Sequence, residues 1–200
     1  MKQSQTDSTK KTRWNAIAEK AGNVADKTGK VIDKKILDLV IALAANSINT
    51  KASCEGHLDH GIAAPWVDIG LAESSEISKK IESLKALWLE IKTKAEKTQK
   101  ETIDKMWLES KKLELEIKYP TSLLVQKLSK LLDKFYQKRT SSYDTHIILR
   151  QLGLTSYRME CQGTIFQEVR GPSEKEIKLK QYQEEMKSFY EFLKNIFFKI

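Results

Sequence analysis

ILDLVIALAANSINTKASCEGHLDHGIAAPWVDI, residues 36–69, is the stretch on which the fold prediction rests. Residues 34–47 are apolar on nearly every turn, and Asp33 precedes them at the position of an N-cap, so they predict a buried helix. Residues 48–54 are β-branched and partly alternating and predict a strand, and residues 66–69 predict a second strand. The segment therefore predicts a helix, a strand, a loop and a strand, in that order.

The loop between these two strands concentrates reactive side chains. It holds one of the two cysteines and two of the three histidines in the 200-residue chain. Loops at the ends of strands commonly hold ligands, so we expect this loop to line a pocket with the tryptophan that begins the second strand. The candidate ligand-binding residues are Ser53, Cys54, Glu55, Gly56, His57, Asp59, His60 and Trp66.

Three interpretations of the loop chemistry follow from its residue types. Thiolate and imidazole are donors that zinc prefers, so Cys54, His57 and His60 are candidate zinc ligands. A fourth ligand could come from Cys161, from His146 or from solvent. The second interpretation makes Cys54 a nucleophile activated by a neighbouring histidine. In the third the cysteine only ends a buried strand, the glycine forms the turn and the histidines satisfy backbone groups.

Residues 76–138 predict a helical hairpin. Apolar side chains recur in steps of four and three over residues 77–117, which is the spacing of a coiled-coil seam. Pro120 predicts the end of the first helix, because proline cannot continue the hydrogen-bond ladder, and residues 122–136 predict the second helix. The seam over residues 77–117 is a candidate surface for self-association or for a protein partner.

The rest of the chain predicts the remaining core. Residues 146–150 and 156–161 predict a strand hairpin that completes the sheet, and a last helix begins at Ser173. Residues 1–12 are polar and aperiodic, which predicts a disordered tail, followed by a short amphipathic helix from Trp14.

The predicted fold class is therefore α+β, a small sheet with packed helices. We expect its core to consist of residues 13–72 and 140–200. A long, coiled-coil-like helical hairpin at residues 76–138 interrupts this core as an insertion.

Composition limits the classes of function. Hydrophobic residues make up 40% and charged residues 31% of the chain, which is typical of a folded domain with a large solvated surface. The net charge of +8 favours association with nucleic acid or another polyanion. No apolar run is long enough to span a bilayer and the first thirty residues lack the pattern of a secretory signal, so we expect a cytoplasmic protein.

Two resemblances follow from the quoted motifs. The pattern Thr-x-x-Ser-Cys-Glu-Gly-His, followed by Pro-Trp-Val, resembles the core of a bacterial protein family of uncharacterised function, and the likeness extends weakly over residues 147–163. That resemblance implies a shared fold. Residues 50–57 are also similar to the Ser-Ser-Cys-x-Gly segment of wybutosine-synthesis methyltransferases, which modify transfer RNA. The second resemblance implies an α/β fold that uses S-adenosylmethionine.

The leading functional hypothesis is an intracellular ligand-binding or interaction protein with its pocket at the loop of residues 54–60. One alternative is a metal-dependent or RNA-modifying enzyme that uses Cys54, His57 and His60. Another is a helical structural adaptor, in which the hairpin carries the function and the loop does not.

Overall fold

A computed structural model describes residues 2–25, 29–71, 74–95, 100–137 and 139–199. Within these ranges no helix is both long and apolar enough to cross a membrane. The helices are α1 (Lys2–Gly22), α2 (Lys34–Ala45), α3 (Ser75–Lys94), α4 (Lys100–Tyr136) and α5 (Pro172–Lys199). The strands are β1 (Thr50–Cys54), β2 (Trp66–Gly70), β3 (Ile147–Gln151) and β4 (Ser156–Cys161), and short 3₁₀ helices span Tyr143–Thr145 and Gln162–Phe166.

The four strands of the described residues form one antiparallel sheet in the order β1-β2-β4-β3. The prediction of an α+β fold is confirmed, and each predicted strand lies within two residues of an observed one. Trp66 on β2 stands opposite Cys54 of β1 and Glu160 of β4. Directly opposed residues share a face of a sheet, so these three side chains belong to one face.

The opposite face of the sheet carries the hydrophobic core. Its buried strand residues are Val67, Ile69, Ile147, Met159 and Cys161. They pack with apolar side chains of α2, of α5 and of the C-terminal half of α4, beginning at Leu124. The period of two along each strand separates this core face from the polar face that contains Trp66. The sheet thus has one face that makes the core and one that is free to carry polar chemistry.

The helical hairpin is present, but its turn is not where proline predicted it. The prediction that Pro120 ends a helix is wrong, because α4 runs without interruption through it. The two helices of the hairpin are instead α3, which ends at Lys94, and α4, which begins at Lys100. Proline removes one backbone donor, yet the buried Ile117 and Leu124, seven residues apart, share the inner face of α4. Packing on both sides of the proline outweighs the lost hydrogen bond.

The N-terminal helix is longer than the sequence predicted. Helix α1 begins at Lys2, so residues 2–12 are helical where a disordered tail was expected. The Trp14 ring packs against Phe197 and Phe198 at the end of α5, with centroids 5.5 and 5.3 Å away. Lys10 also donates to the Phe198 carbonyl. The apolar periodicity did not predict residues 2–12 as helical, because the helix is held by the packing of Trp14, which follows them in the sequence.

Candidate metal-binding site

The loop after β1 is fastened to the start of α2 and to α5. Glu55 Oε2 accepts a hydrogen bond from the Lys35 amide at 2.9 Å, and Asp33 Oδ2 accepts one from the Glu55 amide at 3.2 Å. Gln183 on α5 donates to the Glu55 carbonyl at 2.8 Å. Asp33 occupies the N-cap position as predicted, but its side chain makes no cap bond to its own helix. Glu55 takes that role, which leaves Asp33 directed at the loop.

Gly56 is required by the shape of this loop. Its φ is +82°, a left-handed conformation that side chains with a Cβ rarely adopt. A Cβ there would lie 2.6 Å from Leu179 Cδ1 and 2.7 Å from the Ala64 carbonyl carbon. The Gly56 amide donates to Cys54 Sγ at 3.4 Å, so the same tight turn orients the sulfur.

Three potential metal ligands converge where the loop meets α2. One ligand atom each from Asp33, Cys54 and His57 lies within 4.8 Å of the other two. Asp33 Oδ2 and His57 Nε2 are 3.3 Å apart, and their side chains are only 11% and 19% exposed. Donors of a tetrahedral zinc ion, at about 2.0–2.3 Å from the metal, are about 3.3–3.7 Å from one another. This group needs small adjustments to reach that spacing.

The ionisation of these groups reflects their partial burial. Burial opposes the charge on Asp33, but the Glu55 amide, Lys30 and His57 outweigh it, so the pKa of Asp33 lies below its usual value. Burial raises the pKa of the Cys54 thiol, and the neighbouring Asp33 carboxylate raises it further, against the lowering effect of the Gly56 amide. Asp33 is therefore ionised at neutral pH, while Cys54 holds its proton until a cation displaces it.

A second group of potential ligands lies further out on the loop. His57, Asp59 and His60 also offer atoms within 4.8 Å of one another. The two imidazole rings are stacked, with centroids 4.2 Å apart and planes 16° apart. Ring nitrogens bind metals in the plane of the ring, so stacked rings do not aim at one ion without turning. The described loop thus brings His57 to Cys54 and to His60 in two separate groups.

Trp66, a candidate pocket residue, is engaged on the polar face of the sheet. The Arg158 guanidinium lies over its ring at 3.8 Å and donates two hydrogen bonds to Asp68, at 2.7 and 2.9 Å. Ser53 stands opposite Val67 and so belongs to the core face rather than to the face of Cys54. Within the ladder, Trp66 and Cys54 remain direct neighbours, whereas Ser53 points away from them.

Cys161 and His146 do not join the loop residues. Cys161 follows Glu160 on β4 and belongs to the core face, opposite to that of Cys54. It is fully buried, and both cysteines are free thiols. His146 stacks on Tyr136 at 3.8 Å, and its Nδ1 lies 3.1 Å from Ser141 Oγ. Neither belongs to a ligand group of the described residues, which leaves solvent among the three sources considered for a fourth ligand.

A second polar cluster holds the two 3₁₀ helices against α5. Asp144 accepts hydrogen bonds from Arg170 at 2.7 Å and from Tyr182 at 3.1 Å, and Lys178 forms an ion pair with it at 2.7 Å. Arg170 also donates to Tyr182 at 2.7 Å. Gly163 closes the cluster, because a Cβ there would collide with the Asp144 carboxylate and the Tyr182 hydroxyl. We call these residues the Asp144 cluster.

Sequence reasoning missed Asp33 as a member of the loop site. It was recognised only as a cap, since an Asp before an apolar helix has an ordinary structural explanation. A signal was nevertheless available. Helix α2 leads directly into β1, and a helix that packs back on its own strand places its first residue near the end of that strand. A carboxylate at residue 33 and a thiol at residue 54 are therefore expected neighbours.

In comparisons with protein-family models, curated proteins and solved structures, nothing matches this chain. The resemblances to the bacterial family and to the wybutosine-synthesis methyltransferases therefore stay predictions.

Proposed function

We propose that this chain is a zinc-dependent ligand-binding protein whose metal is held by Asp33, Cys54 and His57. The observation that supports the proposal is the convergence of three different donor types within 4.8 Å of one another. Carboxylate, thiolate and imidazole are all established zinc donors. Two of the zinc ligands predicted from the sequence, Cys54 and His57, belong to this set, and Asp33 takes the place of His60.

Three protein ligands leave one position of a tetrahedral ion open. Zinc sites with an open position bind water or a substrate atom, whereas closed four-ligand sites are structural. The partial burial of Asp33 and His57 favours such a site, because a semi-enclosed ion loses less of its attraction to solvent screening. The open position is the feature through which a small-molecule ligand binds.

The groups around the three ligands also suit a metal. Metal-bound carboxylates are commonly held by an outer hydrogen bond, and the Glu55 amide supplies one to Asp33 Oδ2. The Gly56 amide donates to the Cys54 sulfur in the same way. Lys30 lies 3.3 Å from Asp33 Oδ1 and is a competing cation at this carboxylate. Zinc binding must displace the Cys54 proton, so affinity rises with pH.

The test is a zinc titration of the full chain against a chromophoric chelator. We expect one equivalent of zinc per chain. Cys54→Ser, Asp33→Asn and His57→Ala should each weaken binding by roughly 100-fold or more, because each removes a ligand. Cobalt(II) should bind at the same site and give a thiolate-to-metal charge-transfer band, which Cys54→Ser abolishes. Absence of stoichiometric zinc in the folded wild-type chain would refute the proposal.

Two control variants define the ligand set. His60→Ala should leave the affinity within about threefold, because His60 lies in the outer group. Lys30→Ala should tighten binding by about two- to fivefold, the effect of removing one partly exposed ion pair from Asp33. If His60→Ala abolishes binding and Asp33→Asn does not, the ligands are the outer group and the proposed set is wrong. Thermal unfolding of each apo-variant separates lost ligation from lost fold.

A further inference from the structure

Helix α4 has apolar side chains on two opposite sides. Its inner side is buried and includes Ile117, Leu124, Leu128 and Leu132. Four large apolar residues on the outer side are between 50% and 72% exposed, namely Leu108, Leu115, Tyr119 and Leu123. At 100° per residue these four positions fall within an arc of about 80°, centred almost opposite the buried side. We call them the outer stripe.

The outer stripe has the spacing of a helix-pairing surface. Leu108, Leu115 and Tyr119 are separated by seven and four residues, and Lys112 completes the alternation of three and four between the two leucines. A row of this kind on a helix that is already packed on its other side predicts contact with one further helix. Contiguous exposed apolar patches of this kind commonly mark interaction sites.

The charges along the outer stripe make it complementary to itself in one orientation. Acidic residues precede the stripe, with Glu101 and Asp104 near the start of α4, and the basic residues Lys127 and Lys130 follow it. An antiparallel copy with its two-fold axis between residues 115 and 116 sets residue 101 against 130 and 104 against 127. Glu101 then meets Lys130 and Asp104 meets Lys127 at both ends of the contact. Lys100 and Lys105 also lie at the start of α4, and Lys105 pairs with Glu101 within its own helix.

The same register also matches the apolar positions. It sets Leu108 against Leu123 of the second copy, brings the two Leu115 side chains together at the axis, and places Lys112 beside Tyr119. A lysine stem covers an aromatic ring well, and its ammonium group is attracted to the ring face. A parallel pair in register would instead stack Lys112 on Lys112, which repels. Antiparallel pairing is therefore the favoured arrangement.

We propose that two copies of this chain form an antiparallel dimer through the outer stripe of α4. The contact is isologous, since each copy contributes the same four apolar residues. It lies on α4, whereas the proposed zinc ligands lie at the start of α2 and the end of β1. Separate variants therefore test dimerisation and zinc binding, and one proposal can be refuted without the other.

The first test is the mass of the full chain by sedimentation equilibrium over a wide concentration range. We expect a species of twice 23.0 kDa that dissociates on dilution. Leu115→Glu places two carboxylates at the axis and should raise the dissociation constant at least about 100-fold. The matched control is Leu89→Glu on α3, a leucine that is 64% exposed but outside the outer stripe, and it should leave the mass unchanged. A wild-type chain that sediments at the single-chain mass at every concentration overturns the proposal.

The second test measures the orientation by disulfide cross-linking in a Cys54→Ser background. Leu115→Cys should cross-link to itself, and a mixture of Leu108→Cys and Leu123→Cys chains should form mixed dimers. Leu108→Cys alone should not, because the two residues would be about 22 Å apart along the axis, far beyond disulfide reach. Efficient cross-linking of Leu108→Cys to itself would show a parallel pair and overturn the antiparallel register. Circular dichroism of each variant confirms that α4 is still folded.

Discussion

The loop site and the Asp144 cluster both place a carboxylate in a mostly buried position, but they balance donors and acceptors differently. Asp144 is surrounded by Arg170, Lys178 and Tyr182, which together supply more donors than it can use. Asp33 also accepts hydrogen bonds from the Glu55 amide and His57 and pairs with Lys30, but it lies beside the thiol of Cys54 and the imidazole of His57, which can donate electron pairs to a cation. Asp144 belongs to no group of potential metal ligands among the described residues. The two carboxylates thus differ in whether other electron-pair donors stand beside them, and this is what makes the loop the candidate metal site.

The largest expected effect is on the free energy of unfolding, when the Asp144 cluster is disrupted. Gly163→Ala should destabilise the fold by about 3–5 kcal/mol, because the new methyl group separates Asp144 from Tyr182 and leaves buried polar groups unpaired. The measurement is urea unfolding of the apo-protein. Gly153→Ala is the matched control, since its Cβ would lie 3.8 Å from the nearest atom, and it should change stability by less than about 0.5 kcal/mol. Equal stability of the two variants would contradict a structural role for the Asp144 cluster.

The next effect separates packing from backbone strain in the loop. Gly56 and Gly61 both have positive φ, at +82° and +66°, but a Cβ at Gly61 would meet nothing within 4 Å. Gly61→Ala should cost only the strain, about 1 kcal/mol, and Gly56→Ala about 2 kcal/mol more, because it also collides with Ala64. Unfolding free energies measured at one pH give this difference. Similar costs for both variants would mean that the loop shifts freely, and the site would then lack a rigid frame.

A smaller effect concerns the two thiols. Burial raises the pKa of Cys54 and raises that of Cys161 well above its ordinary value, so both should react slowly with an alkylating reagent at neutral pH. Cys54 is half-buried and should still react in the folded chain, whereas Cys161 should react only after unfolding. Saturating zinc should slow the Cys54 reaction at least about tenfold. Mass spectrometry of the alkylated peptides provides the measurement, and unchanged Cys54 labelling in zinc would count against the thiolate ligand.

The smallest effect is the dependence of stability on acid. The pKa values of Asp33 and Asp144 are both lowered in the folded protein from 3.8. A lowered folded pKa means that the unfolded chain binds more protons, so these contributions are complete above about pH 4 and disappear as pH falls through the folded values. Asp33→Asn and Asp144→Asn should each flatten the decline of the unfolding free energy below pH 4. If neither flattens it, the hydrogen bonds to these carboxylates contribute little to stability.

Local patterns predicted most of the sheet and its neighbouring helix. Residues 48–54 are β-branched and partly alternating, residues 66–69 follow a proline at the entry of the strand, and the predicted strand hairpin at 146–161 turns at a glycine. These features depend on neighbours in sequence, which is what periodicity records. The hypothesis of a site in the loop rests on the same kind of local signal, the crowding of cysteine and histidines in residues 54–60, and it stays a prediction.

Features that depend on distant contacts were not predictable from local patterns. Pro120 lies inside α4 because residues on both sides of it are held by tertiary packing, which no local rule for proline includes. Asp33 joins the site because Glu55 replaces it as the cap of α2, an exchange between residues 22 positions apart. The order of α2 and β1 along the chain places residue 33 near residue 54, but which carboxylate caps α2 is decided by the fold.

The proline in α4 has a mechanical consequence. It has no amide hydrogen, so the carbonyl of Glu116, four residues earlier, lacks its usual backbone hydrogen bond within the helix. On the N-terminal side of the proline, α4 packs against α3, and Lys80 of α3 forms an ion pair with Glu116 of α4 at 3.3 Å. Beyond the proline, α4 is fixed to the sheet from Leu124 onward. One backbone hydrogen bond is therefore missing between the part of α4 that packs on α3 and the part that packs on the sheet, and a bend of the helix would cost least at this position.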